Sequence, residues 1–341
     1  SGSLPDTWWV DNQLNPVMNN FGSYTYADAN NFDLGTNANK FNQYVVYQEG
    51  IYVGYKYTET RYEDVVMGTP NAGSFNYNSV VGYPFGFGLS YTSFSFSDMQ
   101  VEKTGEGQQT SYDVSVKVTN TGAVAGKKTV QVYAQKPYTE YDKQNGIEKA
   151  AVELAGYGKT AILQPGESEV VKVNVPEYFL TSYDATGTGV YILDEGHYYL
   201  TVADDSHAAA NNILAAKGLT TENGMTAEGD ASLTYGMDYT FNAETYATAY
   251  GTDNEVKSLF ADADINRYEG KGDNSVVYYS RSNWAGTVTS GPVQLAMTAQ
   301  IAADAKLDDS DLPDATGVEF PTMGVSANLQ LVNMMDYDYD D

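Results

Sequence analysis

The sequence predicts a mainly β chain centred on an antiparallel sandwich, and three observations predict it. Residues 91–206 contain six or seven short segments that alternate apolar and polar residues, the two-residue period of a half-buried strand. Turn signals punctuate them at Asn120-Thr121-Gly122, Pro165-Gly166 and Glu195-Gly196. The chain also carries 30 Tyr and 32 Gly, a blend that favours strands and turns over long helices. Short strands at this spacing over about 115 residues are the pattern of an immunoglobulin-like or fibronectin type III-like sandwich.

Along the chain, residues 1–43 are rich in Asn, Asp, Gly and Tyr without periodicity and read as irregular loop. Residues 44–57, YVVYQEGIYVGYKY, place Ile51, Val53, Tyr55 and Tyr57 two apart and predict a strand. A loop over 68–82 leads to Tyr83-Pro84-Phe85-Gly86-Phe87-Gly88, whose aromatic rings suit a staple onto the first strand of the sandwich or the lining of a cleft; the staple is the expectation. The sandwich strands then follow through SFSFSDMQV, SYDVSVKV, TVQVYAQ, the VELAGYGK and VVKVNVP pair, and GVYILDEGHYYLTVADDS. Residues 208–218 read as a helix or a strand end, SVVYYS at 275–280 as a strand, and 292–306, which opens on Pro292, as a short helix. No internal repeat appears, and the acidic end at 307–341 reads as a linker.

Composition removes several function classes. Against 45 Asp+Glu stand only 18 Lys+Arg, a net charge of −27, so no basic face is available for nucleic acid or an anionic membrane surface. No stretch approaches the ~18 apolar residues of a transmembrane helix. With no Cys, thiolate chemistry and Cys-ligated zinc are excluded. The two His, His197 and His207, lack a metal-ligand spacing and are expected in structural or surface roles. The start, Ser-Gly-Ser-Leu-Pro, has no charged and apolar leader, so a signal peptide was removed or the chain begins inside a longer one.

Six segments in order, SGSLPDTW (1–8), YQEGIYVGYKYTETRYEDV (47–65), YPFGFGLSYTSF (83–94), TNTGAVAGKKTVQVY (119–133), LAGYGKTAILQPGES (154–168) and EGHYYLTVADDS (195–206), closely resemble glycoside hydrolase family 3, the β-glucosidase-like enzymes. LFADADINRYEG (259–270) and SVVYYSRSNWAGT (275–287) resemble the connector of its circularly permuted members. The resemblance implies three parts: 1–82 as the C-terminal end of an α/β sandwich domain, 83–210 as a fibronectin type III-like domain, and 211–341 as an irregular connector towards a barrel domain. In the family the nucleophilic Asp lies in that barrel and the acid/base Glu upstream of the GSLPDTW stretch. No residue here matches either motif, so no catalytic residue is carried over. The resemblance implies no cofactor, a β-glucoside or oligosaccharide substrate for the parent protein, a catalytic barrel as partner within the same protein or a companion chain, and an extracellular or cell-surface location, with the cytoplasm as the alternative.

The residues themselves leave a few candidates. A retaining glycosidase needs two carboxyl groups ~5–5.5 Å apart, and Glu49, Glu59, Glu63 and Asp64 cluster in sequence; the expected reading is loop and strand-end groups contacting Lys56 or Arg61. Trp8, Trp9 and Trp284 are carbohydrate-contact candidates if exposed, since an indole face stacks on a sugar ring, with packing the favoured role for Trp8 and Trp284. Asp262, Asp264 and Glu269 form a loose calcium candidate, although Arg267 and Asp273 break the EF-hand pattern. The expected function is therefore the non-catalytic portion of a family 3 hydrolase; the alternative is an extracellular carbohydrate-binding or adhesion module.

Overall fold

The computed structural model describes residues 2–19, 21–36, 41–288 and 293–307, so the acidic end expected as a linker lies outside the described residues. The N-terminal part has little regular structure: β1 (Trp8–Trp9), β2 (Tyr24–Thr25), β3 (Gln43–Tyr44), helix α1 (Tyr55–Met67), one turn of helix α2 (Tyr77–Val80) and β4 (Val81–Tyr83), with β1 paired to β4 and β2 to β3. The strand expected over 44–57 is corrected here. Gly54, at φ 57°, breaks the run, and Tyr55, Lys56 and Tyr57 open α1. Gly68 closes that helix in the left-handed region, its N–H donating to the carbonyls of Asp64 and Val65. The alternation misled because α1 is buried nearly all round: Glu59, Thr60, Glu63 and Asp64 are as hidden as Tyr62 and Val66, which only tertiary partners make tolerable.

The sandwich comprises β5 (Phe94–Thr104), β6 (Ser111–Asn120), β7 (Thr129–Gln135), helix α3 (Glu140–Asn145), β8 (Glu153–Lys159), β9 (Ser168–Pro176), β10 (Ser182–Tyr183), β11 (Tyr191–Ile192) and β12 (Gly196–Ala203), followed by helix α4 (Ser206–Ala216) and β13 (Thr234–Tyr239). One sheet has the order β5-β6-β9, the other β13-β12-β7-β8, with antiparallel pairing throughout. The predicted alternation is met by burial: Tyr112, Val114, Val116 and Val118 of β6 lie beside Val171, Val173 and Val175 of β9 and share one core with Val130 and Val132 of β7 and Leu200 and Val202 of β12 in the other sheet. The chain turns at Asn120 and Pro165-Gly166 as expected. Beyond Glu195-Gly196, however, β11 and β12 do not pair with each other; β11 takes β10 as its partner.

Gly156 and Gly158 of β8 let the sheets approach. A Cβ at Gly156 would stand 2.7 Å from Val173 Cγ1, and one at Gly158 2.8 Å from Val171 Cγ1. We therefore expect Gly156→Ala to destabilise the protein by about 1–3 kcal/mol through overpacking, read as a lower urea midpoint; an unchanged midpoint would contradict this packing.

Two features move the expected domain boundaries. The sandwich does not stop at 210, because β13 joins β12 in register from Gly196↔Tyr239 to Thr201↔Thr234, and Tyr246 enters the core. Nor does the stretch after 211 simply lead away. Single helical turn α5 (Trp284–Thr287) and helix α6 (Ala299–Ala305) belong to a region that packs back on the N-terminal part, with Ala29, Leu34, Met297 and Ile301 in one cluster and Tyr44, Val46, Val276 and Leu295 in another. Of the two readings of 208–218, helix or strand end, the helix is present as α4, and the short helix expected over 292–306 is present as α6; Asp205 and Thr298 cap them. The expected strand at 275–280 is not formed. Its backbone is satisfied instead mainly by side chains: Asn266 brackets Val276 with two bonds, and the Gln48 side chain donates to the Val277 carbonyl, while the Gln48 main-chain carbonyl accepts from the Tyr279 N–H.

The second face of β7 positions the site. Tyr133 and Gln135 point away from the sandwich core, under α1 and α4. Phe85 stacks on Tyr55 at 4.5 Å and its carbonyl accepts the Ser206 N–H, so the Tyr83–Gly88 loop ties α1 to the sandwich.

Candidate functional site

Helix α1 presents carboxylates along two sides. On one, Glu59 Oε1 accepts from the Tyr77 hydroxyl at 2.7 Å and Ser206 Oγ at 3.2 Å, while Oε2 lies 2.8 Å from His207 Nδ1. The His207 ring stacks on Tyr77 at 3.7 Å and reaches Thr226 Oγ1 through Nε2. Burial, then the neighbouring Glu59 carboxylate, push the Tyr77 hydroxyl far above its ordinary range, so it stays a donor. His197, by contrast, sits at the surface against Asp238 at 2.7 Å.

On the other side, Glu63 Oε1 accepts from Lys217 Nζ at 2.6 Å and Gln135 Nε2 at 2.9 Å, and Oε2 from Arg281 Nη2 at 2.8 Å. Arg281 also forks onto Asp64 Oδ1 through Nε at 2.8 Å, and Trp284 Nε1 donates to Asp64 Oδ2 at 2.8 Å. Burial works to raise the Glu63 carboxyl, but Lys217 and Arg281 outweigh it and hold it at about 2. For Asp64 burial prevails over Arg281 and Trp284, leaving it above the usual carboxylate value. A separated pair of carboxyl pKa values is a mark of acid/base sites. Here, however, all four oxygens are already engaged by fixed donors, and both Arg281 and Trp284 can only donate to Asp64. The arrangement is an ion-pair knot at the meeting of α1, β7, the segment after α4 and the 281–284 segment, beside an open cleft of about 600 Å³.

These partners differ from those expected. Lys56 pairs with Glu153 at 2.8 Å, beside Lys136, which reaches the same carboxylate at 2.8 Å. Arg61 bonds the Tyr57 hydroxyl and lies over the Trp284 ring at 5.1 Å. Glu49 is buried apart from the knot, along a separate groove with Phe21 and Tyr47. Sequence reasoning missed Arg281 as the central cation, although it is the one basic residue of the SVVYYSRSNWAGT run.

Trp284 is corrected as a carbohydrate-contact candidate: it is 1% exposed, its ring edge-on to Tyr52 at 4.6 Å, because its indole N–H is needed by Asp64. Trp9 is half-buried against Tyr57. Trp8 is 58% exposed beside Tyr83, so its indole is accessible. The calcium candidate is also corrected. Among the described residues no three His, Asp or Glu groups come together to hold a metal. Asp264 Oδ1 accepts instead from the Tyr278 hydroxyl and the Asn266 N–H, a turn-making role that leaves Glu269 outside it.

Comparison with known proteins bears on the sandwich directly. A family model described as fibronectin type III-like domain matches residues 128–206. The matched residues fall within the sandwich, from the start of β7 to the start of α4. β-Glucosidase A of Butyrivibrio fibrisolvens is 37% identical over 170 residues, covering 46% of this chain and 18% of the relative. The β-glucosidase of Ruminococcus albus is 34% identical over 212 residues, covering 61% of this chain and 18% of the relative. A solved β-glucosidase from Paenibacillus barengoltzii matches 60% of this chain and 18% of its own at 33% identity and a TM-score of 0.45. The chain thus resembles one portion of the family 3 β-glucosidases, the portion carrying the fibronectin type III-like domain, and spans about 18% of the length of these curated relatives.

Proposed function

We propose that this chain is the scaffold of a family 3 β-glucosidase-like hydrolase, holding catalytic parts supplied by the rest of the protein or by a companion chain, in the circularly permuted order. The carrying observation is the knot on α1: Glu63 and Asp64, adjacent in a β-glucosidase-like segment, have every carboxylate oxygen engaged by Lys217, Gln135, Arg281 and Trp284. A retaining mechanism needs one carboxyl free to attack the sugar and another free to deliver a proton. The parent reaction, hydrolysis of β-glycosidic bonds with retention, then draws both groups from the barrel and from the segment upstream of GSLPDTW.

The 341-residue chain alone is expected to show no turnover of an aryl β-glucoside. Hydrolysis that co-purifies with the chain and is lost in Glu63→Gln or Asp64→Asn, with the fold intact by circular dichroism, would overturn the scaffold reading. An extracellular or cell-surface location belongs to the same proposal, motivated by a net charge of −27 that suits a protein with a neutral substrate; recovery of the protein solely from the cytosolic fraction would contradict it.

A further inference from the structure

Away from the knot on α1, three ionisable side chains meet in the protein interior. Lys149, from the loop between α3 and β8, is 0% exposed; Asp142 of α3 is 0% exposed, and Asp194, between β11 and β12, 1% exposed. Their chain neighbours Ala150, Ala151, Ile192 and Leu193 are buried as well. Lys149 Nζ lies 2.5 Å from Asp194 Oδ2 and 3.1 Å from Asp142 Oδ1. The two oxygens of Asp142 are not alike. Oδ2 accepts from the Thr139 N–H at 2.7 Å and from the Thr139 hydroxyl at 2.9 Å, whereas Oδ1 accepts no hydrogen bond, and neither does Asp194 Oδ1. Burial and the neighbouring Asp142 hold the Asp194 carboxyl at about 6 against the pull of Lys149, so near neutral pH it both takes up and gives up a proton.

We propose that Lys149 and Asp142 condense to an intramolecular amide, with Asp194 as the proton carrier. An ammonium and two carboxyls buried together are costly, and moving one proton from Lys149 to Asp142 while Asp194 holds its own makes all three neutral. The neutral amine is the nucleophile. Nζ attacks Asp142 Cγ, and the oxyanion that develops on Oδ2 faces the two Thr139 donors already in place. Asp194, whose Oδ2 touches Nζ, takes the surplus amine proton and gives its own to Asp142 Oδ1. The Cγ–Oδ1 bond breaks, Oδ1 leaves as water, an Nζ–Cγ amide remains, and Asp194 is returned as it began. No co-reactant is consumed. The step removes a buried acceptor that has no donor, replaces buried charge by a neutral amide, and leaves one amide N–H to donate to Asp194. Asp194 keeps its carboxyl and continues to titrate in the joined chain.

The test is the intact mass of the 341-residue chain, measured under denaturing conditions after incubation at neutral pH until the mass is constant. A mass lower than that of the sequence by one water is expected. Fragmentation of the tryptic digest should show Lys149 resisting cleavage and joined to the Asp142 side chain. Lys149→Arg should keep the full mass, and Asp194→Asn, with circular dichroism unchanged, should form the bond about a hundredfold more slowly or not at all. A wild-type chain of full mass, a water lost at another site, or a bond from Lys149 to Asp194 each overturns the proposal. Equal bond formation in Asp194→Asn overturns the role of Asp194 as proton carrier. The wild-type mass decides the matter even if neither variant folds. The proposal does not rest on the scaffold reading, and its failure leaves the turnover test of that reading unaffected.

Discussion

Arg281→Met should cost the protein on the order of 3–5 kcal/mol, because it strands two buried carboxylates that have lost their shared cation. Glu63 and Asp64 are 2% and 1% exposed, and the guanidinium reaches both at 2.6–2.8 Å. Removing it leaves Glu63 with Lys217 and Gln135 but leaves Asp64 with only the Trp284 N–H, and a buried charge without a counter-charge must take up a proton or draw in water. At ~2–4 °C per kcal/mol for a protein of this size class, the melting temperature should fall by roughly 10 °C. Arg281→Lys should recover part of the loss, since it restores charge without the two-pronged fork. Urea unfolding of the three proteins at neutral pH decides the matter. A change under about 1 kcal/mol for the methionine variant would place the knot among weak surface pairs, contrary to its burial.

Stability should also peak at mildly acidic pH, and Asp194→Asn should remove the alkaline side of that peak. Lys149, fully buried, is shared by Asp194 at 2.5 Å and Asp142 at 3.1 Å, so two carboxyls face one ammonium. Burial and the neighbouring Asp142 raise the Asp194 carboxyl to about 6, against the opposing pull of Lys149. The folded protein then holds this proton more tightly than the unfolded chain. Its contribution is complete below the unfolded value near 3.8 and is lost as pH rises through 6, each tenfold difference in proton affinity between the two states being worth ~1.4 kcal/mol. Glu63 and Glu153, both held at about 2, act in the opposite sense. Their contributions are present above the unfolded value near 4.5 and are lost as pH falls towards 2. The two trends meet near pH 4.5, where the glutamate contributions are established and that of Asp194 has only begun to fall. Melting temperatures from pH 3 to 9 test this: the wild-type protein should decline below about pH 4.5 and again from about pH 4.5 to 6 before levelling, while Asp194→Asn should flatten the limb between pH 4.5 and 6. A wild-type profile that rises steadily to pH 8 would mean that Asp194 is ionised throughout and would overturn this reading.

Much of the sandwich was legible because strand alternation and one-sided burial are the same fact seen twice. Val114, Val116 and Val118 could only face one way once β6 formed between two partners. The N-terminal segment was not legible in this way. Its apolar alternation at Ile51, Val53, Tyr55 and Tyr57 is a true feature of the residues, but the positive φ of Gly54 divides it, and the helix beyond is sustained by donors that arrive from elsewhere. Gln135, Lys217 and Arg281 lie 72, 154 and 218 residues from Glu63, and no local pattern can announce a partner at such separations.

The sequence by itself determined the antiparallel sandwich, its turns at Asn120 and Pro165-Gly166, and the resemblance to one portion of the family 3 β-glucosidases, because these rest on local periodicity and on residues in order. Only the tertiary structure decided that a run of α1 carboxylates is consumed in ion pairs, that Trp284 is packing, that Asp262 and Asp264 line a cleft instead of meeting Glu269 around a metal, and that residues 234–239 complete the second sheet. Burial turns a carboxylate into either a liability or an anchor, and which one it becomes depends on charges brought to it across the whole length of the chain.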